Sequence, residues 1–219
     1  PETLRNLISR AASEDLDLTS LMVLLQAHTL PERLLIPPFL YFFLKLYPPR
    51  WIARPESKTA GAAGGCVLLR RSALNRIGGF AAIRKEVIDD CSLARDIKST
   101  GGKIWMGLTR RSVSLRFYGT FAQIRDMVAR TAFTQLGYST LQLAGTLLGM
   151  FLTYLVPVFA AFHPQPAVGR MGLAAWVLMA MTFLPTVRFY GLNPLTAPTF
   201  RYWTGKGGQW KGRSQAPRE

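Results

Sequence analysis

The sequence predicts an α/β domain followed by an α-helical hairpin long enough to cross a membrane. Three observations carry this expectation. Strand-like and helix-like segments alternate between residues 57 and 118, the pattern of an α/β domain. Two nearly uncharged apolar runs follow, at 141–162 and 171–186, and about 20 apolar residues span a bilayer. The chain of 219 residues is 49% hydrophobic yet carries a net charge of +15. That pairing fits a membrane protein with a basic cytoplasmic face better than a nucleic-acid binder.

Residues 1–20 read as a helix, because Leu4, Leu7, Ile8, Ala11 and Ala12 recur at helical spacing. Residues 19–27 read as a buried strand. The next apolar stretch, Leu34 to Tyr47, is interrupted by Pro37-Pro38 and flanked by Arg33, Lys45, Arg50 and Trp51. It is read as a helix lying in a membrane interface, ahead of a buried core helix, whose pattern its prolines and aromatics also fit. Ser57 to Gly65 is a small-residue loop and Cys66 to Arg70 a strand. Ser72 to Ile77 is a turn of helix stopped by Gly78-Gly79. Asp89 or Asp90 is expected to cap a helix whose apolar face is Leu93, Ala94 and Ile97, closed by Gly101-Gly102. Ile104-Trp105-Met106 is a short strand.

The remainder is directed at a membrane. Residues 121–140 open with a basic amphipathic helix carrying Arg125 and Arg130. Residues 141–190 form the hairpin, with Pro157 and Pro185 tolerated as they are in membrane helices. Residues 191–219 are a basic tail. The loop 163–170 has one Arg, whereas Arg110, Arg111 and Arg116 lie before the hairpin and Arg201, Lys206 and Lys211 after it. The positive-inside bias therefore puts both flanks in the cytoplasm.

Few chemical motifs stand out. The turn Ala60-Gly61-Ala62-Ala63-Gly64-Gly65-Cys66 lacks the Gly-Lys-Ser/Thr end of a P-loop and does not match the dinucleotide fingerprint. Its glycines either admit a substrate close to the backbone or simply make a tight turn. Asp89 and Asp90 are adjacent, so one can cap a helix while the other faces a cleft as a general base. Both can equally be capping acids. Arg70 and Arg71 could hold phosphate or end a solvated strand. Glu86 and Asp96 read as solvated partners of Arg84, Lys85, Arg95 and Lys98. His28 and His163 have no ligand-spaced partners, so no metal is assigned to this chain's residues. The two cysteines, Cys66 and Cys91, read as buried thiols.

In combination the segments 64–74, 77–80, 88–95 (Ile-Asp-Asp-Cys-Ser-Leu-Ala-Arg) and 101–105 resemble a membrane-bound family 2 glycosyltransferase. Residues 20–23, 32–37, 45–48, 127–136 and 207–213 look like the hopene-associated glycosyltransferases of bacterial hopanoid gene clusters. The resemblance implies a GT-A fold, with residues 1–120 as the acceptor half of that domain and the nucleotide-binding half expected before residue 1. It implies an inverting transfer of a sugar from a nucleotide-diphosphate donor to a lipid or polyprenoid acceptor at the bacterial inner membrane, with the catalytic part cytoplasmic. Asp90 is then the base, with Asp89 beside it. Gly64, Gly65 and Arg70 fall on the acceptor side of the cleft. Arg130 is the one match to a Gln/Arg-x-x-Arg-Trp motif, and Trp210 and Arg213 resemble a carboxy-terminal basic-aromatic motif. A divalent metal, Mg or Mn, is implied for the intact enzyme through an Asp-x-Asp motif expected to be absent from this chain. On that reading this chain alone is expected to be inactive. The rival expectations are a non-catalytic scaffold of a lipid pathway and a protein that binds anionic lipid only.

Overall fold

The computed structural model describes residues 2–192 and the backbone of 209–210 and 213–214. The chain divides into two units, one ending at Ile124 and the other starting at Arg125.

The first unit is built on a three-stranded sheet. Helix α1 (Glu2–Ser13) leads into β1 (Leu18–Leu24), the central strand. Leu18, Thr19 and Ser20 are fully buried there, as a strand paired on both edges and covered on both faces should be. β2 (Val67–Leu69) pairs antiparallel to β1, with Leu18 opposite Leu69 and Ser20 opposite Val67. β3 (Ile104–Val113) runs parallel to β1 from Leu18 opposite Ile104, with an irregularity between Met22 and Leu24. β3 is far longer than the three residues expected. Arg110 and Arg111 disguise its second half, but both are exposed where the strand leaves the core.

Helices fill the connections. α2 (Leu30–Leu46) starts with a capping box: the Glu32 amide donates to the Thr29 hydroxyl, and the Thr29 amide to the Glu32 carboxylate. It runs on through Pro37-Pro38, although each proline removes an amide donor. Burial of Ile36, Pro37, Leu40 and Tyr41 holds it, so the favoured interfacial reading of this segment is corrected to a core helix. A short turn, α3 (Pro49–Ile52), buries Ile52 and precedes the small-residue loop. After β2 come α4 (Arg71–Arg76) and α5 (Asp89–Ser99), the latter burying Cys91, Leu93, Ala94 and Ile97.

The second unit is helical. After α6 (Phe121–Gln135), whose first four residues belong to the first unit, α7 (Thr140–Met150), a π-helical turn (Phe151–Leu155) and α8 (Val156–Ala161) form one continuous rod. The wide turn sits where it is needed, because the ring of Pro157 would otherwise meet the carbonyl of Thr153 four residues back. α9 (Pro166–Phe189) returns against α8, with Gly172 where its backbone meets Ala160 and Ala161, a place with no room for a Cβ. The rod Thr140–Ala161 and α9 have 22 and 24 residues, long and apolar enough to cross a membrane; 0% of the apolar window of the first is buried and 6% of the second. A two-residue hairpin, β4 (Gln209–Trp210) with β5 (Arg213–Ser214), completes the described backbone.

Candidate active site

The two motifs that stood apart in the sequence meet in space. Asp90 is the second residue of α5, and its Oδ2 accepts the Gly64 amide at 2.7 Å. Its Oδ1 accepts the amide of Cys91 at 2.7 Å, and Asp89 Oδ1 accepts the amide of Asp90 at 3.0 Å. The expected cap is therefore corrected. Ile88 occupies the cap position and has no capping side chain, so the acids of the first turn themselves take the free amides of the helix end. Asp89 is exposed, whereas Asp90 is half-buried between the helix end and the glycine turn. A Cβ on Gly64 would stand 3.1 Å from Asp90 Oδ2, so glycine there lets the turn close on the carboxylate.

Burial holds the Asp90 carboxyl above the usual aspartate range. The Gly64 and Cys91 amides pull it back, and the charge of Asp89 adds to the rise. No Lys or Arg among the described residues forms an ion pair with Asp89 or Asp90. A carboxylate with raised proton affinity, beside backbone that a substrate can approach, has the properties of a general base.

The turn that grips Asp90 is itself held from several sides. Ala63 donates its amide to Ser20 Oγ of β1 at 3.3 Å, and Cys91 donates from Sγ to the Ala62 carbonyl at 3.6 Å. The Tyr47 ring lies against Gly61. Burial, followed by the charge of Asp90, pushes the Cys91 thiol up to about 11, so it is a packing group and not a nucleophile. At the other end of α5, Lys98 Nζ donates to the carbonyls of Ile52 and Thr59, each at 2.8 Å, and of Trp51 at 3.3 Å. Burial lowers its proton affinity, with Glu56 opposing. The expectation of a solvated partner for Glu86 or Asp96 fails for Lys98; Arg95 takes that part, 4.0 Å from Glu86 and 3.7 Å from Asp96.

Of the other sequence-predicted site residues, Gly65 and Arg70 belong to the first unit and Arg130 to the second. Gly65 adjoins Val23 of β1. Arg70 ends β2 at the edge remote from the glycine turn, where it pairs with Asp15 at 2.8 Å and Asp17 at 3.6 Å. Arg130 is exposed on α6 in the second unit. Trp210 and Arg213 face each other in the backbone ladder of β4 and β5, and their side chains lie outside the described residues, as does most of the basic tail.

Asp15-Leu16-Asp17 does have Asp-x-Asp spacing, which the sequence expectation overlooked. Its surroundings argue against a metal cradle. Asp17 pairs with Arg76 at 2.8 Å and Asp15 with Lys103 at 3.6 Å, in addition to Arg70. Three cations already neutralise the two carboxylates. Among the described residues no three His, Cys, Asp or Glu side chains gather in a way that could hold a metal ion. Asp15 and Asp17 therefore do not fit a divalent cation.

Two residues that tie the first unit together had partners the sequence did not reveal. One is Lys98. The other is Glu32, fully buried, whose carboxylate accepts the amides of His28 at 3.0 Å, Thr29 at 3.1 Å and Tyr118 at 2.8 Å. Its capping-box spacing was readable; its partner 86 residues away was not.

A family model described as Glycosyl transferase family 21 matches residues 46–204, more than half of the 219 residues, from the end of α2 through both apolar helices. No curated protein and no solved structure matches the chain.

Proposed function

Because the chain belongs to glycosyl transferase family 21, we propose that it is the acceptor-side part of an inverting transferase, with Asp90 as its general base. Membership supports glycosyltransferase activity in general and implies a sugar donor and an acceptor. In the proposed step, Asp90 takes the proton of an acceptor hydroxyl as that oxygen bonds to the anomeric carbon of the sugar. The bond from that carbon to the nucleoside diphosphate breaks, the diphosphate leaves with the electron pair, and the configuration inverts. The observation that carries this reading is the half-buried Asp90 carboxylate, free of any described cation and closed upon by Gly64.

The acceptor is a lipid or polyprenoid hydroxyl. Two helices able to cross a bilayer, almost wholly exposed, support membrane association. The basic flanks favour a cytoplasmic first unit at a bacterial inner membrane, and a hopanoid-type acceptor rests on the sequence resemblance. The mixed sheet flanked by helices is compatible with half of a GT-A domain. In this reading residues 1–120 are that half, 121–140 an interfacial segment, 141–190 the hairpin and 191–219 the tail. In the intact enzyme a divalent cation would neutralise the leaving diphosphate; no step is assigned to it through this chain's residues.

Asp90→Asn in the whole protein tests the base. Asn keeps the size and can still accept one of the Gly64 and Cys91 amides, but it cannot take the proton. Transfer of radiolabelled sugar from uridine diphosphate hexoses into extractable lipid should fall on the order of a hundred- to ten-thousand-fold, with donor binding nearly intact. Near-normal transfer would refute the base, and unimpaired lipid binding without any transfer in the wild type would favour the scaffold.

A further inference from the structure

The structure assigns Lys98 the part of a positioning residue, which fixes the approach of the glycine turn to Asp90 from the far end of the same helix. The inference rests on the proposed role of Asp90 and adds a residue that has no contact with the reacting atoms.

The geometry is a two-point clamp. α5 is 11 residues long. At its first turn Asp90 Oδ2 receives the Gly64 amide at 2.7 Å. At its last turn Lys98 Nζ donates to the carbonyls of Trp51 and Ile52, the C-terminal end of α3, and of Thr59, the residue before the small-residue turn. An ammonium has three N–H donors and meets three carbonyls here, so its hydrogen-bonding capacity is filled by backbone. These are charge-assisted bonds, stronger than neutral ones. The Trp51 carbonyl also accepts the Arg54 amide at 3.3 Å, so Lys98 adds a second donor there.

The consequence follows from where the bonds fall. One helix holds residues 51–52, residue 59 and residue 64 of the connecting segment. The segment between Thr59 and Gly64 is thereby referred to α5 at both ends. Displacement of Thr59 is passed to Gly64 through only a few residues, and with it to the oxygen of Asp90 that would receive the proton. Misplacement of a catalytic group by about 1 Å can cost a hundredfold.

Lys98→Met keeps the stem and removes the donors. Hydrogen exchange of the 57–66 amides, followed by mass spectrometry on the whole protein in nanodiscs, should quicken about tenfold or more as the segment is released. Transfer from uridine diphosphate hexoses to a total lipid extract should lose about ten- to a hundredfold in kcat, with the donor KM within about twofold of wild type. Lys103→Met, equal in charge change but paired with Asp15, should alter neither. Unchanged exchange in 57–66, or unchanged kcat, overturns the assignment. If the Met variant does not fold, Lys98→Gln is read by the same two criteria. Exchange is measured without turnover, so failure of the Asp90 base leaves it interpretable: Asp90→Asn decides the base, and the exchange of 57–66 decides the clamp.

Discussion

Two acidic pairs stand in the first unit, and they are opposites. Asp15 and Asp17 precede β1, and Asp89 and Asp90 open α5. The first pair is surrounded by Arg70, Arg76 and Lys103. The second has no cation among the described residues and is bound by backbone amides instead. The surroundings move the two pairs in opposite directions. Arg70, by hydrogen bond and charge, holds the Asp15 carboxyl below its ordinary range, while burial holds that of Asp90 above it. Identical side chains are thus assigned to a structural lock in one place and to proton transfer in the other, and their neighbours rather than their spacing make the difference.

The comparison can be broken most severely through stability. Asp17 is buried and receives Arg76 at 2.8 Å, so Asp17→Ala leaves two arginines without their shared partner at the start of the central strand. Loss of about 2 kcal/mol is expected for a hydrogen-bonded charged group, which for a chain of this size is about 4–8 °C in Tm by thermal unfolding. Asp89→Asn, by contrast, should leave Tm within about 1 °C, since an exposed side chain with one local bond contributes little. Equal losses for the two would erase the distinction between lock and site.

Asp90 should behave in the reverse sense. Its folded-state pKa is raised, so its ionisation opposes folding: that contribution is fully favourable below the ordinary aspartate value of 3.8 and is lost as pH rises through the raised value. Asp90→Asn removes this titration at the cost of one acceptor, since Asn has one oxygen for the Gly64 and Cys91 amides; its stability relative to wild type should therefore be greatest at pH 7 and decline as pH is lowered towards 4. Melting curves across that window check it. A relative stability that instead rises as pH falls would make Asp90 a structural acid like Asp17.

The smallest effect sharpens the picture of the site's floor. Cys91 is buried with its thiol pushed up to about 11, and Cys66 is half-buried. Maleimide at pH 8 should leave Cys91 unmodified in the folded protein while reaching Cys66 more readily, as peptide mapping would show. Rapid modification of Cys91 would mean that the glycine turn opens away from α5.

What the sequence revealed follows from the range of each interaction. The apolar runs at 141–162 and 171–186, the strand before Gln26 and the buried face of Leu93, Ala94 and Ile97 were readable because periodicity and length are local. Asp90 and Gly64 were both singled out, but 26 residues separate them and only the fold makes the bond. The helix cap was misjudged because Ile88, a residue with no capping group, holds the position. The second half of β3 was missed because its arginines face outwards at an edge. Lys98 resembled an ordinary solvated lysine, since carbonyl ligands leave no trace in side-chain patterning. Asp15-Leu16-Asp17 shows the converse: a spacing associated with metal, given a different role by three cations from distant positions.

The clamp on the glycine turn also sets how this region can change over time. From Asp90 to Lys98 the helix axis advances about 12 Å, at 1.5 Å per residue, while the stretch from Thr59 to Gly64 reaches at most about 17 Å when fully extended. Little spare length remains once both ends are tied. Ordinary surface loops absorb insertions and deletions cheaply; this one can vary its side chains but not its count. Shortening it by two residues would leave about 10 Å of reach, so both ties could be kept only by leaning the Lys98 stem along the helix and reshaping the turn. The turn is therefore a ruler as well as a wall, and diversity in acceptor choice has to enter through substitution at fixed length.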